Sequence, residues 1–198
     1  MTLFRTGVLL WSLICASQAC AEEPARIAVA ANFKATLEAL IDAFAQSDPA
    51  SQSNYQLVSG STGMLFAQIS AGAPFDLFLA ADSARPEQLH AQSRFSRHHP
   101  KVYARGRLAL WIPNRDGPWE AIFTNFEGDL AIANPALAPY GAAASVFLSA
   151  PLFQQAPRRI QGNNVHQAHQ FVATGNAHGA LLSLAQLIPA EVPPGPLL

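Results

Sequence analysis

Short apolar runs alternate along this chain with stretches whose apolar residues stand three and four apart, a pattern that predicts strands alternating with helices in parallel α/β sheets. Arg26–Ala31 predicts a buried strand, and Phe33, Leu37, Leu40, Ile41 and Phe44 then recur at helical spacing behind Asn32, a residue that caps helices well. Tyr55–Val58 predicts a second strand, Ser59–Gly63 a turn, and Met64–Ala71 a helix stopped by Gly72 and Pro74. Phe75–Ala81 is almost continuously apolar, as a central parallel strand buried on both faces should be. The chain is polar from Asp82 to about Arg105, with a helix expected near Arg85–Gln92 and then a crossover. Arg107–Ile112 and Asp129–Ala133 are the next strands, the second leading towards a helix over Gly141–Ala150. Arg159–Gln161 predicts a weak strand, His166–Thr174 a helix closed by Gly175, and Ala180–Ser183 a last strand that runs into a short helical stretch.

At four places a predicted strand hands over to a helix through a small polar residue or a tyrosine: Ala31-Asn32, Ser61-Thr62-Gly63, Pro139-Tyr140-Gly141 and Asn163-Asn164-Val165. In parallel sheets these handovers gather along the carboxyl edge, where ligands bind. Each helix start also presents unpaired N–H groups at a positive dipole end, so converging starts suit an anion. Taken singly, each junction is a helix cap; four together, each lacking Lys or Arg, point to a neutral donor set. Lys34 follows Asn32 by two residues and is expected to face solvent. About six hydrogen bonds to a charged ligand, at roughly 1.5–3 kcal/mol each, leave room after ordering costs for micromolar to nanomolar binding without a formal cation.

Composition narrows the classes further. Residues 1–21 carry Arg5, an apolar run from Val8 to Ala16 and small residues up to Ala21, the pattern of a cleaved secretory signal peptide. The run is too short for a membrane span, which needs about 20 apolar residues. Lipid attachment at Cys20 is the competing reading, and it meets Ser17 where an aliphatic residue would be expected. Both cysteines, Cys15 and Cys20, fall in this leader, so the mature chain is expected to lack a disulfide. The formal charge of −1 becomes about −2 without Arg5 and gives no general attraction for nucleic acid or anionic lipid.

Five segments, "IAVAANFKATLEAL", "SGSTGMLFAQISAGAPFDLFLAAD", "RLALWIP", "LAIANPALAPYGAAA" and "NNVHQAHQFVATGNAHGALLSLAQ", resemble in that order the periplasmic molybdate-binding proteins of ABC-type molybdate importers. The resemblance covers nearly all of residues 26–188 and implies a type II periplasmic-binding-protein fold, two parallel-sheet α/β lobes joined by crossing hinge strands. It implies lobe I from 22–103, lobe II from 104–188, and 189–198 as the start of a return to lobe I that is truncated at Leu198. Such proteins close on molybdate or tungstate through neutral donors. Carried onto this chain, the resemblance makes Asn32 a ligand with Ala31 giving backbone, Thr62 a hydroxyl and amide donor with Ser61 adjacent, Tyr140 an amide or phenol donor, and Val165 an amide donor. A ligand tyrosine on the last strand of many members is Ser183 here, so Tyr140 would supply the phenol. The implied protein is a periplasmic monomer with no cofactor, docking transiently on a membrane permease.

Other readings carry less. Ser61 sits in G-S-T-G rather than the G-x-S-x-G of a nucleophile elbow, and no base can be assigned to it among His90, His98, His99, His166, His169 and His178. His166 and His169 share a helix face, but no further ligand is spaced to complete a zinc site, so solvated helix histidines are expected. Sulfate, phosphate or thiosulfate remains open as the anion, since neutral donor cages hold these too.

Overall fold

A computed structural model describes residues 23–48, 54–93, 98–115, 117–124, 126–150 and 157–187. The expected signal peptide and its cleavage site lie outside the described residues, as does the return segment 189–198.

The first lobe is built on a three-stranded sheet of β1 (Ala25–Ala30), β2 (Tyr55–Gly60) and β3 (Leu77–Leu79) in the order β2-β1-β3, all parallel. Between them run α1 (Lys34–Ser47) and α2 (Thr62–Ser70), and α3 (Ala84–Ala91) follows β3. The centre of this sheet is β1, not the strand at Phe75–Ala81. Only Leu77–Leu79 of that apolar run pairs, at an edge among the described residues. Apolar continuity in the run serves a different end: Phe75 and Phe78 pack with Ala28, Leu65, Ile69 and Leu89 on the face covered by α2 and α3. The opposite face is thin. α1 has the expected helical spacing yet no buried residue, and Leu40 and Phe44 are 54% and 51% exposed.

The second lobe has β4 (Leu108–Trp111), β5 (Leu130–Ala133), β6 (Arg159–Gly162) and β7 (Gly179–Ser183) in the order β4-β7-β5-β6. Its helices are α4 (Trp119–Thr124), α5 (Pro139–Leu148) and α6 (Val165–Ala173). The short α4, after Gly117-Pro118, has no counterpart in the hydropathy reading. Strand period two explains the core: Leu110, Ile112, Leu130, Ile132 and Leu181 point to one face with Phe123, Ala144 and Leu148. Their neighbours Trp111, Ala131, Ala180 and Leu182 point to the other with Ala168 and Val172. Both faces are covered, so β5 and β7 are buried throughout.

This sheet is mixed rather than wholly parallel, because β4 runs antiparallel to β7 with Leu108 opposite Ser183. Topology requires it. After β3 and α3, the crossing residues 98–107 lead into the second sheet at the edge where β7 ends. A strand entering from that edge must run against its neighbours.

Candidate functional site

The carboxyl ends of β1, β2, β5 and β6 converge on one small cavity lined by Ala30, Ala31, Asn32, Gly60, Ser61, Thr62, Ala81, Ala138, Pro139, Tyr140, Asn164 and Val165. All six residues expected at a ligand line it, and none of the twelve carries a formal charge. Its volume of about 10 Å³ is near what one water needs, so the cleft is shut tightly around it. Ala133, Ala138, Tyr140 and Val165 of the second lobe pack there with Ala31 and Ala81 of the first.

The clearest donor is Ser61. It precedes α2 in extended conformation, is 3% exposed, and its hydroxyl has no protein partner. A buried hydroxyl without a partner costs about 1–3 kcal/mol, which a ligand oxygen would recover. Thr62 is differently placed. Its Oγ1 accepts the Ala81 N–H at 3.0 Å, tying the start of α2 to the end of β3. That contact uses only the acceptor side of the Thr62 hydroxyl and leaves its O–H to donate, so Ser61 joins Thr62 as a hydroxyl donor at this junction, and Thr62 also brings the first amide of the helix.

The first junction also differs from expectation. The Ala31 N–H donates to the Gly60 carbonyl at 2.9 Å, extending the β1–β2 ladder by one residue. It is spoken for, and Ala31 contributes wall rather than a donor. Asn32 does not cap α1, because residues 31–33 form a turn in which the Phe33 N–H bonds Ala30 O at 2.8 Å and the helix starts at Lys34. The Asn32 side chain is thereby released from capping and borders the cavity. Lys34 pairs instead with Glu38 at 2.5 Å on the exposed side of the helix, as expected.

On the second lobe, Pro139 opens α5 with its fixed φ and no N–H, so Tyr140 brings the first amide of that helix. Gly141 lets the helix press on β5, where an added Cβ would lie 2.2 Å from Ala133 O. The Tyr140 hydroxyl accepts from Ser183 Oγ at 3.0 Å, so the two positions weighed for a ligand phenol act together: Ser183 fills the phenol's acceptor side, leaving its O–H to donate. Gly106 on the crossing segment is needed here, since a Cβ would stand 1.8 Å from that hydroxyl. Asn164 caps α6 by accepting the Gln167 N–H at 3.0 Å, while Gln167 Oε1 accepts the Asn163 N–H at 2.6 Å. This leaves the Val165 amide free of the cap at the cavity.

Sequence reasoning passed over the hinge side. Tyr103 on the crossing segment donates to Ala80 O at 2.9 Å and packs against Phe33 at 5.0 Å. Burial, with Tyr140 adding, pushes its phenol up to about 12, so it stays protonated and donating. A larger hollow of about 940 Å³ lies beyond it, bordered by Asn32, Tyr140 and Ser183 on the site side and by His90, His98 and His99 on the other. The His90 and His99 rings lie 4.2 Å apart with their planes tilted by 48°, but no group of three His, Cys, Asp or Glu among the described residues could hold a metal ion. His169 is not a solvated helix histidine: its ring stacks on Trp111 at 4.9 Å, and burial, with His166 adding, lowers its basicity. His166 itself is exposed. No helix among the described residues is long and apolar enough to cross a membrane.

Comparison with known proteins agrees with this architecture. Residues 25–198 match the family described as bacterial extracellular solute-binding protein. The molybdate-binding protein ModA of Azotobacter vinelandii is 36% identical over 182 residues, covering 88% of this chain and 69% of that protein. ModA of Rhodobacter capsulatus is 35% identical over 136 residues, 67% of this chain and 54% of its own length. The solved Azotobacter vinelandii periplasmic molybdate-binding protein superposes with a TM-score of 0.77 at 34% identity, over 86% of this chain and 76% of that one. With two α/β lobes closing on a neutral, donor-lined cavity, the chain belongs to the bacterial extracellular solute-binding proteins, in the group of the ModA molybdate-binding proteins.

Proposed function

We propose that this protein is the periplasmic substrate-binding component of an ABC importer and captures molybdate or tungstate between its lobes. The observation that carries the reading is the partnerless Ser61 hydroxyl, buried in an uncharged cavity where the starts of α2, α5 and α6 meet. A tetrahedral oxyanion there accepts from the Ser61, Thr62 and Tyr140 hydroxyls, the Asn32 side chain, and the amides of Thr62, Tyr140 and Val165. Helix dipoles and oriented donors hold the charge without a cation, which favours a desolvated anion selected by size and later released. The mechanism is binding and closure, with no bond made or broken. Delivery requires docking of the closed lobes on a membrane permease, and the leader directs export and is cleaved near Ala21.

Isothermal titration and thermal shift of the chain against molybdate, tungstate, sulfate and phosphate test the reading. Molybdate and tungstate should each raise the melting temperature, by linkage, where sulfate and phosphate do not. Equal responses to all four anions, or to sulfate alone, sink the assignment. Ser61→Ala then asks whether the site is the one described: it should weaken molybdate by about 1–3 kcal/mol.

A further inference from the structure

Two donors of the first lobe reach across the cleft to consecutive carbonyls of the second. The Gly63 N–H donates to Leu137 O at 2.8 Å, and Arg85 Nη2 donates to Ala136 O at 3.3 Å. The acceptor loop is held rigid from within: Asn134 Oδ1 accepts the Ala136 N–H at 2.9 Å, and Asn134 O accepts the N–H groups of Leu137 and Ala138 at 3.1 and 2.9 Å. Its two carbonyls are thus aimed at the first lobe, directly ahead of α5 and Tyr140. The donor side is as firmly set. Asp82 accepts the Arg85 N–H at 3.0 Å and pairs with its guanidinium, with both side chains about three-quarters buried. Asp82 in turn follows Ala81, whose N–H holds Thr62.

We infer that Arg85, clamped by Asp82 at the end of β3, is the cross-cleft latch that sets how long the closed lobes retain their ligand. The guanidinium is suited to this because its fork engages Asp82 with one nitrogen and the opposite lobe with another. The second strut, Gly63, demands close approach: an added Cβ would stand 2.8 Å from Leu137 O and 3.2 Å from Arg85 Nη2. Arg85 does not line the cavity, so it acts on the open–closed equilibrium and is a positioning residue. Because apparent affinity scales with the fraction of competent protein, a weaker latch raises ligand release without altering the donors themselves.

The inference rests on the oxyanion reading for its ligand, and stopped-flow release of molybdate from the full chain tests it. Arg85→Gln should release molybdate roughly five to ten times faster, with association within about twofold and the ligand-free protein still unfolding in one cooperative transition. Arg85→Lys keeps the pair with Asp82 but lacks the fork, and should fall between. Gly63→Ala, a wedge in the same contact, should speed release at least as much. Unchanged release in Arg85→Gln, or weaker binding arising wholly from slower association, overturns the latch. Small-angle scattering of the ligand-free chain separates the two ideas. A larger radius of gyration in Arg85→Gln and Gly63→Ala supports the latch even if wild type binds no molybdate, an outcome that would remove only the ligand. An unchanged radius in both variants overturns the latch whatever the ligand.

Discussion

The two lobes are built to the same plan and finished to different depths. In the second, helices cover both faces of the sheet, and β5 and β7 are buried from end to end. In the first, α2 and α3 cover one face, while on the other α1 leaves Leu40 and Phe44 half-exposed and the edge strand shows Leu77. Yet at the cleft the lobes are equals: Ser61 and Thr62 of the first are as buried as Val165 and Ser183 of the second. The walls of the binding cavity are therefore secured by what the lobes press against each other, independently of how well each sheet is covered behind.

The largest expected effect breaks this comparison at the sheets. Leu181, fully buried among Leu110, Leu130 and Ile132, should cost about 2–5 kcal/mol when changed to alanine, read by chemical denaturation. Leu40→Ala on α1 should cost no more than about 0.5 kcal/mol in the same measurement, because its side chain is already in water. A comparable loss at Leu40 would mean that the outer face of the first lobe is covered in solution.

Next comes a contrast within the cleft, between two adjacent residues of one junction. Ser61→Ala should weaken molybdate by about 1–3 kcal/mol while leaving the ligand-free melting temperature level or higher, since it deletes a buried hydroxyl that has no protein partner. Thr62→Val should lower the ligand-free melting temperature, because the Ala81 N–H loses its acceptor. Finding stability and binding lost together at Ser61 would show its hydroxyl serving the fold.

Across the cleft, Tyr140→Phe should weaken molybdate by about 1–2 kcal/mol in isothermal titration and leave Ser183 Oγ without its acceptor. The Tyr140→Phe, Ser183→Ala pair sharpens this. If Ser183 acts by orienting the phenol, its removal should matter in the presence of Tyr140 and hardly at all once the hydroxyl is gone.

Much of this was legible in the sequence, and the failures have physical causes. Strand and helix order followed from periodicity, and the four small-residue junctions marked the residues that line the cavity, because a strand-to-helix handover is a local event. Which donor is free is not local. Ala31 lost its amide to Gly60 on another strand, Thr62 took the Ala81 N–H on its acceptor side and kept only its O–H, and only the assembled sheet decides such pairings. The apolar run Phe75–Ala81 suggested a strand buried on both faces, but the run lies at a sheet edge where only Ala80 is buried, Leu77 is exposed, and Phe75 and Phe78 are half-buried under the helix layer. Arg85 left a trace in the Asp82-x-x-Arg85 spacing at a helix start, but its cross-cleft carbonyl lies 51 residues away.

The smallest expected effect belongs to the well-covered lobe and shows where even that core keeps a titrating group. His169 on α6 lies flat on Trp111 of β4, and neither His169 Nε2 nor Trp111 Nε1 has a protein partner. Burial first, and then the charge of nearby His166, favours the neutral imidazole, so its folded value is lowered from 6.5. Below its unfolded value the unfolded chain binds the proton more readily than the fold does. Stability from this residue is thus fully present above about pH 6.5 and is lost as pH falls through the window down to the lowered folded value. Melting temperatures between pH 7.5 and 5 should decline less in His169→Phe, which keeps a ring on Trp111 without a titrating nitrogen. His166→Gln, removing only the secondary cause, should flatten the decline slightly; a profile identical in wild type and His169→Phe would place the acid sensitivity of the fold elsewhere.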